Sequence, residues 1–237
     1  MPSKIFDIDR LGSITFSKHR TAKAIRIRIN GSDVKVTLPT WLAYSVAKAY
    51  VIKRTDWILE NRKPVNNLYS GAIIGKDITL NIINGMTSRF STKLKETELI
   101  IKIPAEISIN SPEAQDKISK SVKKALQKQS YDILLPHVRT IADETNSNVK
   151  SIEIKDLKSR WGSCSSKNEL TFSVYLIQLP WSYINYVIYH ELAHTVHHNH
   201  GADFWRLVEN FEPRYKQLRR EMKHFSPQII PQNINTM

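Results

Sequence analysis

At 237 residues, with 41% hydrophobic and 24% charged residues, the chain is long enough to bury a core and has the composition of a soluble globular protein. Its apolar runs fall well short of the roughly 18 residues of a membrane-spanning helix. Its start (MPSKIFDIDRLG) lacks an apolar signal core, and the lone Cys164 excludes an intrachain disulfide, so a cytoplasmic location without membrane contact is expected. The net charge of +13 is concentrated at one end: residues 1–64 hold 13 Lys+Arg against 5 Asp+Glu. Such a surface is either a solvated face or a site for phosphates or nucleic acid.

Residues 22–30 (AKAIRIRIN) alternate apolar and basic, GSD at 31–33 marks a turn, and VKVTLP resumes the alternation, which predicts a hairpin over 22–39. Residues 41–62 switch to helical spacing through Leu42, Val46, Ala49, Tyr50, Trp57 and Ile58, closed by Asn61 and Pro64. Four short alternating pieces between 72 and 103 read as an antiparallel extension of the first sheet. SPEA at 111–114 is a helix start: Ser111 can cap, Pro112 suits the first helical position, and Glu113 favours the positive end of the dipole. Pro136 kinks or restarts that helix, which ends near Asn146. Strands are expected in 149–157 and 169–177. Pro180 and Ser182 then open a helix, and GADFWRLVENF and PRYKQLRREMKHF give two more.

No internal repeat stands out. The order predicts an α+β protein divided near residue 110: a basic N-terminal antiparallel β module with a helix (1–110), a second module (111–225) and a flexible tail (226–237).

The segment YHELAHTVHHNHG (189–201) holds five of the eight histidines. His190 and His194, four apart on a helix, stack on one face and can grip one tetrahedral Zn²⁺. Glu191 lies about 100° around the helix, beside the open coordination position, where a carboxylate can take a proton from water. A third protein ligand is normal for a hydrolytic zinc. His197 lies about 10 Å along the axis from His190 if the helix continues, and His198 is rotated away. His200 can return to the metal only if the chain turns first. Asn199, which tolerates the left-handed conformation, and Gly201, which adopts it freely, would supply that turn. The expected ligands are therefore His190, His194 and His200, with Glu209 or Glu212 as the alternative third ligand. His197 and His198 are expected at the surface or behind the ligands.

The stretch from SRWGSCSS (159–166) through HELAH (190–194) to NHGADFW (199–205), with Pro180, Pro213 and Tyr215, resembles the YgjP-like zinc metallohydrolases, relatives of the WLM and SprT-type zincins. The basic hairpin and DWILENR (56–62) fit the N-terminal part of that family. The resemblance implies a C-terminal minimal zincin-like domain, Zn²⁺ on His190, His194 and His200, Glu191 as general base, and a peptidase activity.

Arg160 is expected to border the cleft, holding an oxyanion or an anionic substrate group, or else to serve as a structural ion-pair residue. It precedes a Gly162–Ser163 pair that should turn sharply. Cys164 reads as a small packed residue, and Phe204 and Trp205 as packing that seats the turn carrying His200. Three functions compete: a zinc metallopeptidase; a zinc hydrolase of phosphoric anhydrides such as nucleoside triphosphates; and a nucleic-acid-associated protein with Lys23, Arg26 and Arg28 as phosphate contacts. The substrate is accordingly a peptide or an anionic small molecule.

Overall fold

The computed structural model describes residues 3–30, 33–61, 67–85 and 87–231. Gly31 and Ser32 of the expected turn, Pro64 and the tail residues 232–237 lie outside the described residues. The chain is mixed α+β and packs as two units, Met1–Asn66 and Asn67–Met237. The boundary therefore falls well before 110. Ile78, Leu80, Ile101 and Ile103 are buried in one core with Ala114, Ile118 and Val122, so the strands before 110 cannot be separated from the helix after it.

Unit 1 holds strands β1 (Ser3–Ile8), β2 (Gly12–His19), β3 (Arg26–Asn30) and β4 (Asp33–Pro39), in the order β1-β2-β4-β3. The predicted hairpin is β3–β4, with Arg28 opposite Lys35. β2 runs parallel to β4, and β1 is antiparallel to β2. One face of the sheet buries Ile8, Ile14, Phe16, Val34, Val36 and Leu38. Helices α1 (Tyr44–Ile52) and α2 (Thr55–Asn61) complete this core with Ala47, Val51 and Ile58. The single expected helix is thus two, and the Thr55 hydroxyl donates to the Ile52 carbonyl at the break. Each buried aliphatic side chain contributes about 1.5–3 kcal/mol.

Unit 2 begins with β5 (Ile73–Ile74), β6 (Ile78–Asn84), β7 (Ser91–Leu94) and β8 (Glu98–Ile103), a separate sheet in the order β5-β6-β8-β7 rather than an extension of the first. Its central pair, β6 and β8, is parallel. Alternation reports that a strand has a buried face, but not which strand lies beside it, and this is why the expectation failed.

Helix α3 (Pro112–Gln129) starts as expected, with Ser111 Oγ accepting from Ala114 N at 3.2 Å. A π-helical turn (130–134) joins it to α4 (Leu135–Glu144). The wider turn accommodates Pro136, which lacks an N–H and crowds the carbonyl four residues back. The buried Gln129 at the end of α3 reaches Gly75, whose φ is +66°, and Gln129 Oε1 accepts from Lys76 N at 3.0 Å. A Cβ at Gly75 would come within 1.8 Å of that oxygen, so both backbone and space require glycine here.

The remaining elements carry the site. β9 (Ser151–Lys155), β10 (Gly162–Cys164) and β11 (Glu169–Ser173) form a sheet in the order β10-β11-β9. Helices α5 (Trp181–Ala193), α6 (Ala202–Phe211) and α7 (Tyr215–Glu221) follow. Part of the expected flexible tail is tied down: Gln178 donates to the Gln228 carbonyl (2.8 Å) and accepts from Ile230 N (2.9 Å), while Ile229 and Ile230 pack on the core. Among the described residues no helix is long and apolar enough to cross a membrane.

Candidate active site

Helix α5 buries Ile184, Val187, Ile188 and Leu192, which fixes the rotation of the helix and so the direction of His190, Glu191 and His194. Lys76 helps secure its entry. The ammonium donates to the Leu179 carbonyl and lies 4.5 Å from the centre of the Trp181 ring, and burial lowers its pKa to about 8.

The helix ends sooner than the sequence suggests. His194 is its C-cap, and the Leu192 carbonyl accepts from both the amide (2.9 Å) and the hydroxyl (2.7 Å) of Thr195. The chain therefore leaves the helix in a turn at 194–196 and bends again at 198–199. Neither residue expected to make the turn is left-handed: Asn199 has no positive φ, and Gly201 has φ −70°. Asn199 instead accepts from Gly201 N through its side chain (3.1 Å), ahead of α6.

This turn brings His200 back to the helix. His190, His194 and His200 each offer one ring nitrogen, and the three nitrogens lie within 4.8 Å of one another. Nε2 of His190 and Nε2 of His200 are 3.2 Å apart. Two nitrogens of a tetrahedral zinc site, each about 2.0–2.1 Å from the ion, are separated by about 3.3–3.4 Å, so the spacing suits a shared small cation. His194 Nδ1 donates to the His197 carbonyl at 3.0 Å, which leaves Nε2 as its free lone pair. His197 thus serves the cluster through its backbone.

Burial, then the neighbouring imidazoles, lower the pKa of His190 to about 3. Burial likewise lowers that of His194. Both rings therefore stay neutral, as a metal ligand must. Phe204, fully buried, lies beneath the cluster with its ring centre 4.4 Å from His194, 4.7 Å from His200 and 5.0 Å from His190. Trp205 stacks on His200, and Tyr215 stacks on Trp205.

Glu191 is 6% exposed, and its desolvation raises its pKa to about 8, opposed by the positive charge of Arg160. The space it occupies is left by Gly162: a Cβ there would meet Glu191 Cγ at 2.7 Å and Oε1 at 2.8 Å. Gly162 does not turn the chain as expected. It pairs with Phe172 within β10–β11 and serves as clearance for the carboxylate, a role that nothing in the sequence signals.

Arg160 is exposed beside β10 and borders a cavity of about 530 Å³ with Ser163, Cys164 and Glu169. The half-buried Cys164 has its pKa raised to about 11 by desolvation and then by Glu191, which makes it a poor nucleophile. Glu209 and Glu212, the alternative ligands, lie elsewhere: Glu209 pairs with Lys216 at 3.4 Å and Glu212 with Arg214 at 3.1 Å.

A family model described as "YgjP-like, metallopeptidase domain" matches residues 23–225. The chain belongs to the YgjP-like family. As a YgjP-like metallopeptidase domain it is of the metal-dependent hydrolase type, and its histidine triad is where a metal can be held. No curated protein matches this YgjP-like chain. A solved structure that does is the metallopeptidase zymogen of Pyrococcus abyssi abylysin, at 25% identity and a TM-score of 0.34, covering 37% of this chain and 90% of that one.

Proposed function

We propose that the chain is a zinc-dependent metallopeptidase with a zincin-like site, in which His190, His194 and His200 would hold the ion and Glu191 is the general base. The observation that carries this reading is the convergence of three imidazoles next to a buried carboxylate. When bound, the ion supplies a Lewis acid that polarises the scissile carbonyl and acidifies water. Glu191 accepts the proton of the attacking water on a carboxylate oxygen. Its burial favours the protonated form, so the same oxygen can pass the proton on to the departing amine. Arg160, whose charge reaches Glu191, would hold an anionic group of the substrate.

The test is metal analysis and turnover of wild type and Glu191→Gln side by side. The variant should keep its zinc and lose about 10²–10⁴-fold in kcat on peptides. Full activity in a zinc-loaded Glu191→Gln protein would remove Glu191 from the mechanism. Turnover of nucleoside triphosphates but not peptides by wild type would replace the peptidase reading with the anhydride one.

A further inference from the structure

Lys4, Lys18 and Lys48 converge where β1 and β2 meet α1. The ammonium groups of Lys4 and Lys18 lie 5.4 and 5.1 Å from the centre of the Tyr44 ring, and that of Lys48 lies 6.0 Å from the centre of Phe6. The two rings are 5.7 Å apart. Lys18 Nζ also donates to the Thr40 carbonyl at 2.9 Å, which fixes its position. Among the described residues, the ion pair of unit 1 joins Arg10 to Asp56, so no carboxylate neutralises these three lysines. Aromatic faces offset part of the repulsion between the ammonium groups, and an external anion would offset the rest. The residue after Thr40 is Trp41, whose indole is 75% exposed.

We propose that this surface binds single-stranded nucleic acid, with phosphates on Lys4, Lys18 and Lys48 and an unpaired base stacked on Trp41. Cations tracking a backbone beside an open aromatic ring are the combination that single strands use, and a flat exposed indole has no use for a base already stacked in a duplex. The basic residues most visible in the sequence, Arg26 and Arg28, lie on the other face of the sheet with Lys35, where strand alternation places no Trp, Tyr or Phe. That face can attract phosphate but cannot stack a base. This inference is independent of the metallopeptidase reading, because it needs neither the metal nor Glu191.

The experiment is fluorescence anisotropy of a labelled 15-residue oligothymidylate with the full chain across a salt series. Wild type should bind, more weakly as salt rises. Lys4→Ala/Lys18→Ala/Lys48→Ala should weaken binding at least tenfold and flatten the log K against log salt slope by about 2, from about 0.7 per phosphate contact. Trp41→Ala should weaken binding about tenfold and leave the slope unchanged. Its exposed position keeps it informative should the triple variant misfold. Arg26→Ala/Arg28→Ala/Lys35→Ala should bind like wild type. The proposal is overturned if wild type ignores the oligonucleotide, if it prefers a duplex or phosphatidylserine vesicles, or if the sheet-face variant loses as much as the lysine variant.

Discussion

Strands β1–β4 and β5–β8 trace the same path twice. Each set has a parallel central pair flanked by antiparallel partners, in the orders β1-β2-β4-β3 and β5-β6-β8-β7, and each is followed by a helix. The first set is closed by α1 and α2, and the buried residues of its core are all apolar. The second set shares its core with α3, α4, β11 and α5. All the buried polar side chains among the described residues lie in that second unit: Gln129, Ser130, Ser173, Gln178, Glu191 and Glu212. One topology thus serves once as a self-contained apolar core and once as a wall behind chemistry. Buried polarity gathers where a site has to be held, because elsewhere it would only cost stability.

The largest effect that would sharpen this contrast is loss of the metal. His200→Ala should abolish metal retention, whereas His197→Ala and His198→Ala should keep most of it, measured by elemental analysis after gel filtration. Equal metal content in all three would mean that the turn does not deliver a ligand. Next in size is Gly162→Ala. The added methyl must displace Glu191, and a shift of about 1 Å in a reacting group can cost about 10²-fold, so kcat should fall by that order with KM and metal content unchanged. Wild-type turnover would show that the carboxylate does not need the clearance.

The smallest effects are on stability and have opposite signs for the buried acid Glu191 and the half-buried base Lys76. In metal-free protein, a carboxyl titrating near 8 when folded and near 4.5 when unfolded binds more protons in the folded state between those values. Stability is therefore lost as pH rises through that window. Glu191→Gln should raise Tm by about 2–4 °C at pH 8 and by little at pH 4.5. Lys76 titrates near 8 when folded and 10.5 when unfolded, so the unfolded state binds more protons in between and stability rises with pH there. Lys76→Met should therefore help most at pH 7 and progressively less by pH 10. If thermal melts show no pH dependence in either gain, these groups are more hydrated than their burial implies.

The two helical histidines of the triad were legible in the sequence because two residues four apart must share a helix face, whatever the fold around them. His200 was legible by exclusion, since a straight helix carries His197 too far. The turn itself was not, because Thr195 ends the helix with a hydroxyl-to-carbonyl bond and makes a left-handed residue at 199 or 201 unnecessary. The β3–β4 hairpin was plain in its alternation. β1 and β2 are absent from the elements expected from the sequence, although Phe6 and Ile8, then Ile14 and Phe16, carry the same period-two signal. The parallel pairings between β2 and β4 and between β6 and β8 depend on long-range partners, as does the clearance at Gly162, and no local pattern encodes either.

β3 ends the first sheet, and an edge strand invites another chain to continue the hydrogen-bond ladder. Arg26 and Arg28 alternate along it, so a second copy docking edge to edge would bring arginine against arginine. The pair that looks in the sequence like a ligand surface acts equally well as insulation, holding concentrated protein back from polymerising through this edge.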